Sequence, residues 1–172
     1  MSQTILPKEK LKVLLLGYYD STRTRIAEAF LHEKYGDYFD IYCGGIEQRD
    51  ISLYAIKVMA ERGLDLVSDK SENLENIVGK SVFDYVVTLC DAAKEMCPYF
   101  PGGKKYIHFN FQDPSGFQGT DSKILNSYRK LRDDIRSFIV KTFSVELRKK
   151  RRELSLIKMK ELKSKPTEAV GA

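Results

Sequence analysis

The sequence predicts an α/β protein, in which a parallel sheet carries helices on both faces and a basic helical extension follows at the C-terminal end. Strand-like and helix-like segments alternate along the 172 residues without an internal repeat, and this alternation is typical of parallel sheets. Residues 13–16 are all apolar, as in a buried strand. The longest helical pattern begins at Ser122, where apolar residues recur at every third or fourth position.

Each predicted element has a local reason in the sequence. Gly36 ends the first helical pattern. Ser52 is a suitable N-cap for the second helix. That helix is expected to turn Leu53, Ile56 and Met59 towards the core. The predicted elements are, in chain order, a strand over residues 12–17, a helix over 22–35, a strand over 39–43, a helix over 52–62, a short helix over 73–77, a strand over 85–89, a short helix over 92–96, a strand over 106–109 and the long helix from Ser122.

Composition indicates a soluble globular chain, since 42% of the residues are hydrophobic and 31% are charged. No apolar stretch approaches the roughly 20 residues that span a bilayer. Residues 1–10 lack the apolar core of a signal peptide. We therefore expect a cytoplasmic protein with a flexible lead-in over residues 1–10, a folded domain over residues 11–143 and a basic helical tail over residues 144–172 that is frayed at its end.

The tail carries the excess positive charge. Between residues 144 and 165 lie nine of the 29 Lys and Arg residues but only three of the 24 Asp and Glu residues, which leaves the body nearly neutral. Two interpretations stay open for the tail: a solvated helix end, or a segment that docks on an acidic partner, on RNA or on an anionic membrane surface. Its apolar residues suit a helix face that meets a protein partner. The absence of interleaved aromatic residues argues against nucleic acid.

Cysteine and histidine usage indicates neither a disulfide framework nor a metal site. Cys43, Cys90 and Cys97 do not share zinc-ligand spacing with His32 or His108. We expect no metal and no cofactor. Cys43, at the end of the second strand, is expected to be a buried core cysteine.

The connection between the first strand and the first helix is a candidate oxyanion site. A loop in this setting directs backbone N–H groups into one concavity at the positive end of a helix dipole. Arg23 would add a bidentate guanidinium. On these residues alone, an ordinary turn is the simpler interpretation. The residues predicted to bind phosphate, sulfate or arsenate are Tyr18, Tyr19, Asp20, Ser21, Thr22 and Arg23.

Several ordered motifs between residue 12 and about residue 143 resemble the low-molecular-weight tyrosine phosphatases and, more closely, the related thioredoxin-coupled arsenate reductases. In this family the strand–loop–helix unit contains a cysteine, five further residues and an arginine. Gly17 stands at the cysteine position. The other matching segments are residues 24–29, 44–47, 55–59, 63–66, Ser68, Ser71, 88–93, 97–98, 108–109, 113–114, 119–120 and 132–135.

The resemblance implies a flavodoxin-like sheet of four strands and a set of catalytic roles. In the family the loop cysteine attacks phosphorus or arsenic, the loop amides and the arginine hold the oxyanion, and an aspartate before a proline protonates the leaving group. Asp113 matches that acid. Cys90 and Cys97 match the second and third cysteines of the arsenate reductases, which form a disulfide that thioredoxin reduces. Both cysteines are equally well explained as packing residues, and Asp113 as a turn cap.

The departures from the family concentrate in the loop. Gly17 has no side chain with which to attack. Asp20 stands where the family has a bracing asparagine, and its carboxylate is expected to repel an anion by about 1 kcal/mol. Tyr18 and Tyr19 are expected to narrow the pocket or cover its mouth.

Three functional hypotheses follow from these residues. The first is a catalytically degenerate family member that binds an oxyanion or a protein partner as a regulatory module. The second is a thiol-redox enzyme that uses Cys90 and Cys97 with thioredoxin, with Asp113 as a conditional acid. The third, which the loop favours least, is a working tyrosine phosphatase or arsenate reductase.

Overall fold

The computed structural model describes residues 9–66, 72–79 and 81–164. Within these ranges strands and helices alternate as the sequence predicts. The greater part of the predicted lead-in, Ser68, Ser71 and the predicted frayed end lie outside the described residues. The elements are β1 (Leu11–Tyr19), α1 (Thr22–Tyr35), β2 (Phe39–Glu47), α2 (Leu53–Ala60), β3 (Glu72–Asn73), α3 (Leu74–Ile77), β4 (Phe83–Thr88), α4 (Asp91–Met96), β5 (Gly103–His108), a 3₁₀ turn (Pro114–Gly116) and α5 (Asp121–Ser164).

The described strands form one parallel sheet in the order β3-β2-β1-β4-β5. The four predicted strands are β1, β2, β4 and β5, so the predicted parallel sheet is confirmed. The short strand β3 adds to the β2 edge, where the sequence predicted only a helix from Asn73. Asn73 instead pairs with Gly45, and helix α3 begins one residue later, at Leu74.

Successive residues of β1 point to opposite faces of the sheet, and both faces are covered. Val13 and Leu15 belong to the larger apolar core, to which α1, α2 and α5 contribute. Leu14 and Leu16 belong to a smaller core on the other face, which includes Ile77 of α3. This burial on both sides explains why residues 13–16 of the strand are all apolar instead of alternating. The predicted helices on both faces are confirmed.

The predicted inward face of α2 is only partly right. Met59 is fully buried, but Leu53 is 73% exposed and Ile56 is 40% exposed. The buried face is formed by Ala55, Val58 and Met59 instead. Because α2 packs on α5 at the side of the sheet, its inward face is set by the position of α5, which the α2 sequence does not encode. The residue before the helix, Ser52, makes no cap with its side chain and donates a hydrogen bond to the hydroxyl of Tyr128 at 3.0 Å.

Helix α5 runs for 44 residues from Asp121 to Ser164 and does not break at residue 143. Glu146 and Leu147 are buried. The carboxylate of Glu146 accepts a hydrogen bond from Lys105 of β5 at 2.7 Å. The guanidinium of Arg151 lies 5.6 Å from the ring centroid of Tyr38. The body of the protein therefore contacts the helix well into the segment predicted as tail.

Candidate functional site

The connection between β1 and α1 is shorter than the sequence predicts. Strand β1 continues through Gly17 to Tyr19, and helix α1 begins at Thr22. The predicted end of the first strand at Gly17 is thus wrong, since only Asp20 and Ser21 join the two elements. Strand β2 extends to Glu47, and Tyr19 pairs with it. A strand continues where its neighbour offers a ladder and where aromatic residues favour extended backbone.

Gly17 lies within this ladder, opposite Gly45. A Cβ atom on Gly17 would be 2.7 Å from the backbone oxygen of Tyr19 and 3.1 Å from Cγ2 of Thr24. A Cβ atom on Gly45 would be 2.3 Å from the backbone nitrogen of Asp20. Both glycines therefore permit a close approach of backbone segments, and this conformation of β1 leaves no space for a cysteine at position 17.

The two tyrosines after Gly17 are fixed on the β2 side. The hydroxyl of Tyr18 donates a hydrogen bond to Glu47 at 2.9 Å. This bond, with the charge of Glu47, raises the pKa of the Tyr18 phenol. Arg49 lies 4.4 Å from the ring centroid of Tyr19. The two rings meet edge to face, with their centroids 4.9 Å apart.

Asp20 is buried and its charge is compensated inside the protein. One carboxylate oxygen accepts a hydrogen bond from the hydroxyl of Thr24 at 2.8 Å, and the other pairs with Arg25 at 2.6 Å. Arg25 also pairs with Glu28 at 3.0 Å. Arg25 was not among the predicted site residues, yet it neutralises the carboxylate that was expected to repel an anion.

Cys43 lies beside the ion pairs of Arg25 with Asp20 and Glu28. The residue is 5% exposed, which confirms the prediction that it is a buried core cysteine. Burial, followed by the charges of Glu28 and Asp20, raises the pKa of this thiol well above its ordinary value. A thiol with a raised pKa carries little of the thiolate form that attacks or binds metals.

Arg23 and Asp113 meet, although 90 positions separate them in the sequence. A guanidinium nitrogen of Arg23 lies 3.3 Å from a carboxylate oxygen of Asp113, and the other donates a hydrogen bond to the backbone oxygen of Phe111 at 3.0 Å. Asp113 also accepts a hydrogen bond from the N–H of Ser115 at 2.9 Å, which caps the 3₁₀ turn. Arg23, which was predicted to bind an oxyanion, therefore lies next to Asp113, which was predicted to be the acid, but the two side chains pair with each other.

Cys90 lies next to the predicted site, whereas Cys97 lies at the far end of α4. The backbone N–H of Tyr18 donates to the sulfur of Cys90 at 3.3 Å, and the Cys90 side chain is buried. Both cysteines are free. Helix α4 fills the space between them, so their Cα atoms are separated by about 10 Å at 1.5 Å per residue. A disulfide needs a separation below about 7 Å and would require α4 to unwind.

A polar relay beside Cys90 was not predicted. The hydroxyl of Thr88 lies 2.8 Å from Nδ1 of His108, and Nε2 of His108 lies 2.9 Å from Asp91. The amide of Asn110 donates to Asp91 at 2.6 Å. The relay follows from the β4–β5 register, which places Thr88 opposite His108. It joins the start of α4 to the end of β5.

A cavity of about 800 Å³ lies beside Asp113, between the β5–α5 connection and α5. Its wall includes Phe109, Phe111 and Phe138, whose ring centroids are 4.4 to 5.5 Å apart. Phe109 and Phe117 at its rim are 46% and 49% exposed.

Within the described part of the chain, no group of His, Cys, Asp or Glu side chains could hold a metal ion. No helix in that part has the length and apolar character needed to cross a membrane.

The parallel sheet, the strand-to-helix turn and the meeting of Arg23 with Asp113 define a phosphatase-like α/β protein. Residues 12–153 match the low molecular weight phosphotyrosine protein phosphatase family. The chain belongs to this family. The match extends beyond residue 143, in agreement with the contacts that α5 makes further along.

Relatives of this chain include arsenate reductases. It is 35% identical to the arsenate reductase of Halalkalibacterium halodurans over 125 residues, which cover 73% of this chain and 88% of that protein. It is 33% identical to the arsenate reductase of Bacillus subtilis over 116 residues, which cover 67% of this chain and 83% of that protein.

Solved structures share the fold. An arsenate reductase in the phosphate binding state superimposes with a TM-score of 0.66 at 22% identity, covering 78% of this chain and 97% of that one. A low molecular weight protein tyrosine phosphatase from T. tengcongensis superimposes with a TM-score of 0.60 at 19% identity, covering 78% and 99%.

Proposed function

We propose that this chain is a catalytically degenerate member of the family that acts as a binding or regulatory module in the cytoplasm. The observation that carries the proposal is the packing of Gly17, which stands where the family resemblance expects the nucleophile and lies inside a paired strand with no space for a side chain. Covalent catalysis requires an attacking atom. The free state of all three cysteines is in keeping with a reducing compartment.

A protein partner is better supported than a bound oxyanion. The guanidinium of Arg23 is already held by Asp113 and by the backbone oxygen of Phe111, and its side chain is 9% exposed. Phosphate, sulfate or arsenate would have to displace that carboxylate. The aromatic cavity beside Asp113, with the exposed rings of Phe109 and Phe117, offers a surface on which a partner can bury apolar groups.

The test is hydrolysis of an aryl phosphate, together with arsenate reduction in the presence of thioredoxin and its reductase. We expect neither activity above that of a buffer control. The variant Arg23→Lys keeps the charge but loses the paired donors, and Arg129→Lys, which alters an exposed ion pair with Glu61, is the matched control. Turnover by the wild-type chain that Arg23→Lys abolishes and Arg129→Lys preserves would overturn the proposal.

A second candidate function, a thiol-redox enzyme using Cys90 and Cys97, is supported by the position of the Cys90 sulfur beside Tyr18. In this chemistry the two thiols would give two protons and two electrons to arsenate, which leaves as arsenite and water, and the dithiol of thioredoxin would then reduce the resulting Cys90–Cys97 disulfide. Burial raises the pKa of the Cys97 thiol, which weakens it as a nucleophile. Asp113 would act as an acid only if Cys90 or a water attacked a substrate.

The two functions are separated by counting free thiols in denatured samples before and after mild oxidation. The proposal expects the same number in both, with Cys97→Ser lowering both counts equally. A loss of two thiols in the wild-type chain that is absent in Cys97→Ser, and that thioredoxin reverses, would establish the redox function instead. An active tyrosine phosphatase is the least supported function, because water would have to replace the missing cysteine.

A further inference from the structure

The distal part of α5 presents one face on which only cationic and apolar side chains occur. This face, the cationic stripe, is formed by Val145, Arg148, Lys149, Arg152, Leu156 and Met159. At 3.6 residues per turn, these positions fall within about 100° of the helix circumference. The apolar members are 40%, 60% and 55% exposed, in chain order, and the three cationic residues are exposed as well.

The cationic stripe points away from the body of the protein. Leu147 lies on the opposite side of the helix and Glu146 lies at the flank of the stripe, and both are buried. Glu146 is held there by Lys105 at 2.7 Å and by Lys149, a stripe residue, at 3.3 Å. The nearest exposed carboxylate, that of Glu153, lies off the stripe and pairs with Lys150 at 3.5 Å. Lys149 is therefore partly engaged by Glu146, whereas the exposed side chains of Val145, Arg148, Arg152, Leu156 and Met159 can be reached by a flat surface.

We propose that the cationic stripe docks this protein on an anionic phospholipid surface. Clustered Lys and Arg side chains are attracted to anionic headgroups, and apolar side chains on the same face enter the headgroup region. The exposed Leu156 and Met159 supply that second contact. Docking of this kind lies in the plane of the surface and involves no span.

The charge pattern favours a lipid surface over other occupants. A second copy of the stripe would be repelled, since it carries the same charge. A partner with an apolar groove requires apolar anchors at consecutive turns, whereas cations separate Val145 from Leu156 along the stripe. Single-stranded nucleic acid is recognised through aromatic stacking, and the stripe contains no aromatic residue.

The test measures binding of the full chain to phosphatidylcholine vesicles with and without phosphatidylserine, by flotation. We expect binding only with phosphatidylserine, weakening as NaCl rises from about 50 to 300 mM. Each cation at an anionic surface contributes roughly fivefold in affinity. Arg148→Glu/Arg152→Glu should therefore lose at least roughly 20-fold. The charge-matched control Lys57→Glu/Lys94→Glu, on exposed residues of α2 and α4, should stay within about threefold of wild type.

Two further variants separate the contributions. Leu156→Gln/Met159→Gln should bind more weakly with an unchanged salt dependence, because the charges remain. Arg148→Gln/Arg152→Gln replaces the charge reversals if those prove unstable by circular dichroism. The proposal would be overturned if the stripe variant and its control lost the same affinity, or if the wild-type chain bound vesicles of phosphatidylcholine alone. It would also be overturned if the chain bound no vesicles, or if it bound an RNA duplex more tightly than the phosphatidylserine vesicles.

Discussion

Replacing Gly17 by alanine is expected to destabilise the protein, because β1 has no space for a Cβ atom. That atom would lie 2.7 Å from the backbone oxygen of Tyr19 and 3.1 Å from Cγ2 of Thr24. The threonine methyl group can shift, but the Tyr19 backbone is fixed by its ladder to Glu47. Overpacking of this kind costs about 1–3 kcal/mol. Replacing glycine by alanine also reduces the conformational freedom of the unfolded chain, which stabilises the folded state by about 0.4–1 kcal/mol. At the midpoints of these two ranges the expected net loss is about 1.3 kcal/mol.

Urea denaturation of Gly17→Ala measures this loss as a change in the free energy of unfolding. Gly116→Ala is the matched control, since a Cβ atom at Gly116 meets nothing within 4 Å. The control should be as stable as the wild type or slightly more stable. If the two variants unfolded with the same free energy, the strand could not be packed as described.

The variant Gly17→Cys adds a functional readout to the same position. It should lose a similar free energy of unfolding and should not hydrolyse an aryl phosphate, because Arg23 stays engaged by Asp113. Activity gained by Gly17→Cys would mean that the strand opens into a loop and accepts a nucleophile. That result would refute both the steric argument and the proposed loss of catalysis.

Three further predictions concern buried polar groups. Asp20→Ala should lose about 3 kcal/mol of unfolding free energy on chemical denaturation, because Arg25 is buried and keeps only one carboxylate partner. The double variant Asp20→Ala/Arg25→Met should regain most of that loss. Equal losses in the single and the double variant would contradict the prediction. Burial opposes ionisation of Glu146, but hydrogen bonds from its lysine partners lower its pKa overall. The ion pairs therefore stabilise the fold above the ordinary glutamate pKa of about 4.3 and are lost as pH falls through the lower folded value. The stability difference between wild type and Glu146→Gln should be largest at about pH 7 and should shrink as the pH falls below about 4.3, and a constant difference would contradict this. Cys90→Ala should cost about 1–3 kcal/mol of unfolding free energy, because it leaves the N–H of Tyr18 without its acceptor. Cys90→Ser supplies a hydroxyl acceptor and should recover much of that free energy. Equal losses in the two variants would argue against the hydrogen bond from Tyr18 to residue 90.

Local signals predicted most of the fold. The helix over residues 22–35 has the predicted bounds, since its apolar spacing lies within the segment and Gly36 follows it directly. The extension of β1 to Tyr19 was missed because it depends on β2 reaching Glu47, which is remote in sequence. The orientation of Leu53 was missed for a similar reason, since α2 packs against a helix much later in the chain.

The candidate site could be predicted residue by residue but not as an arrangement. The motifs identified Arg23 and Asp113, yet nothing in the sequence indicated that they pair with each other. The compensation of Asp20 by Arg25 was also missed, because a helix residue two positions after Arg23 looks like an ordinary surface charge. The relay between Thr88 and His108 depends on strand register, for which neither residue carries a local signal.

The contact between Asp113 and Arg23 makes the carboxylate a tethered ligand of the guanidinium. A tethered ligand acts at a high effective concentration, so a free anion competes against it at a disadvantage. The tether is the connection between β5 and α5, and the same carboxylate caps its 3₁₀ turn. Any molecule that displaced Asp113 would loosen that turn at the base of the long helix. The carboxylate of Asp113 thus links the state of Arg23 to the order of the turn that precedes α5.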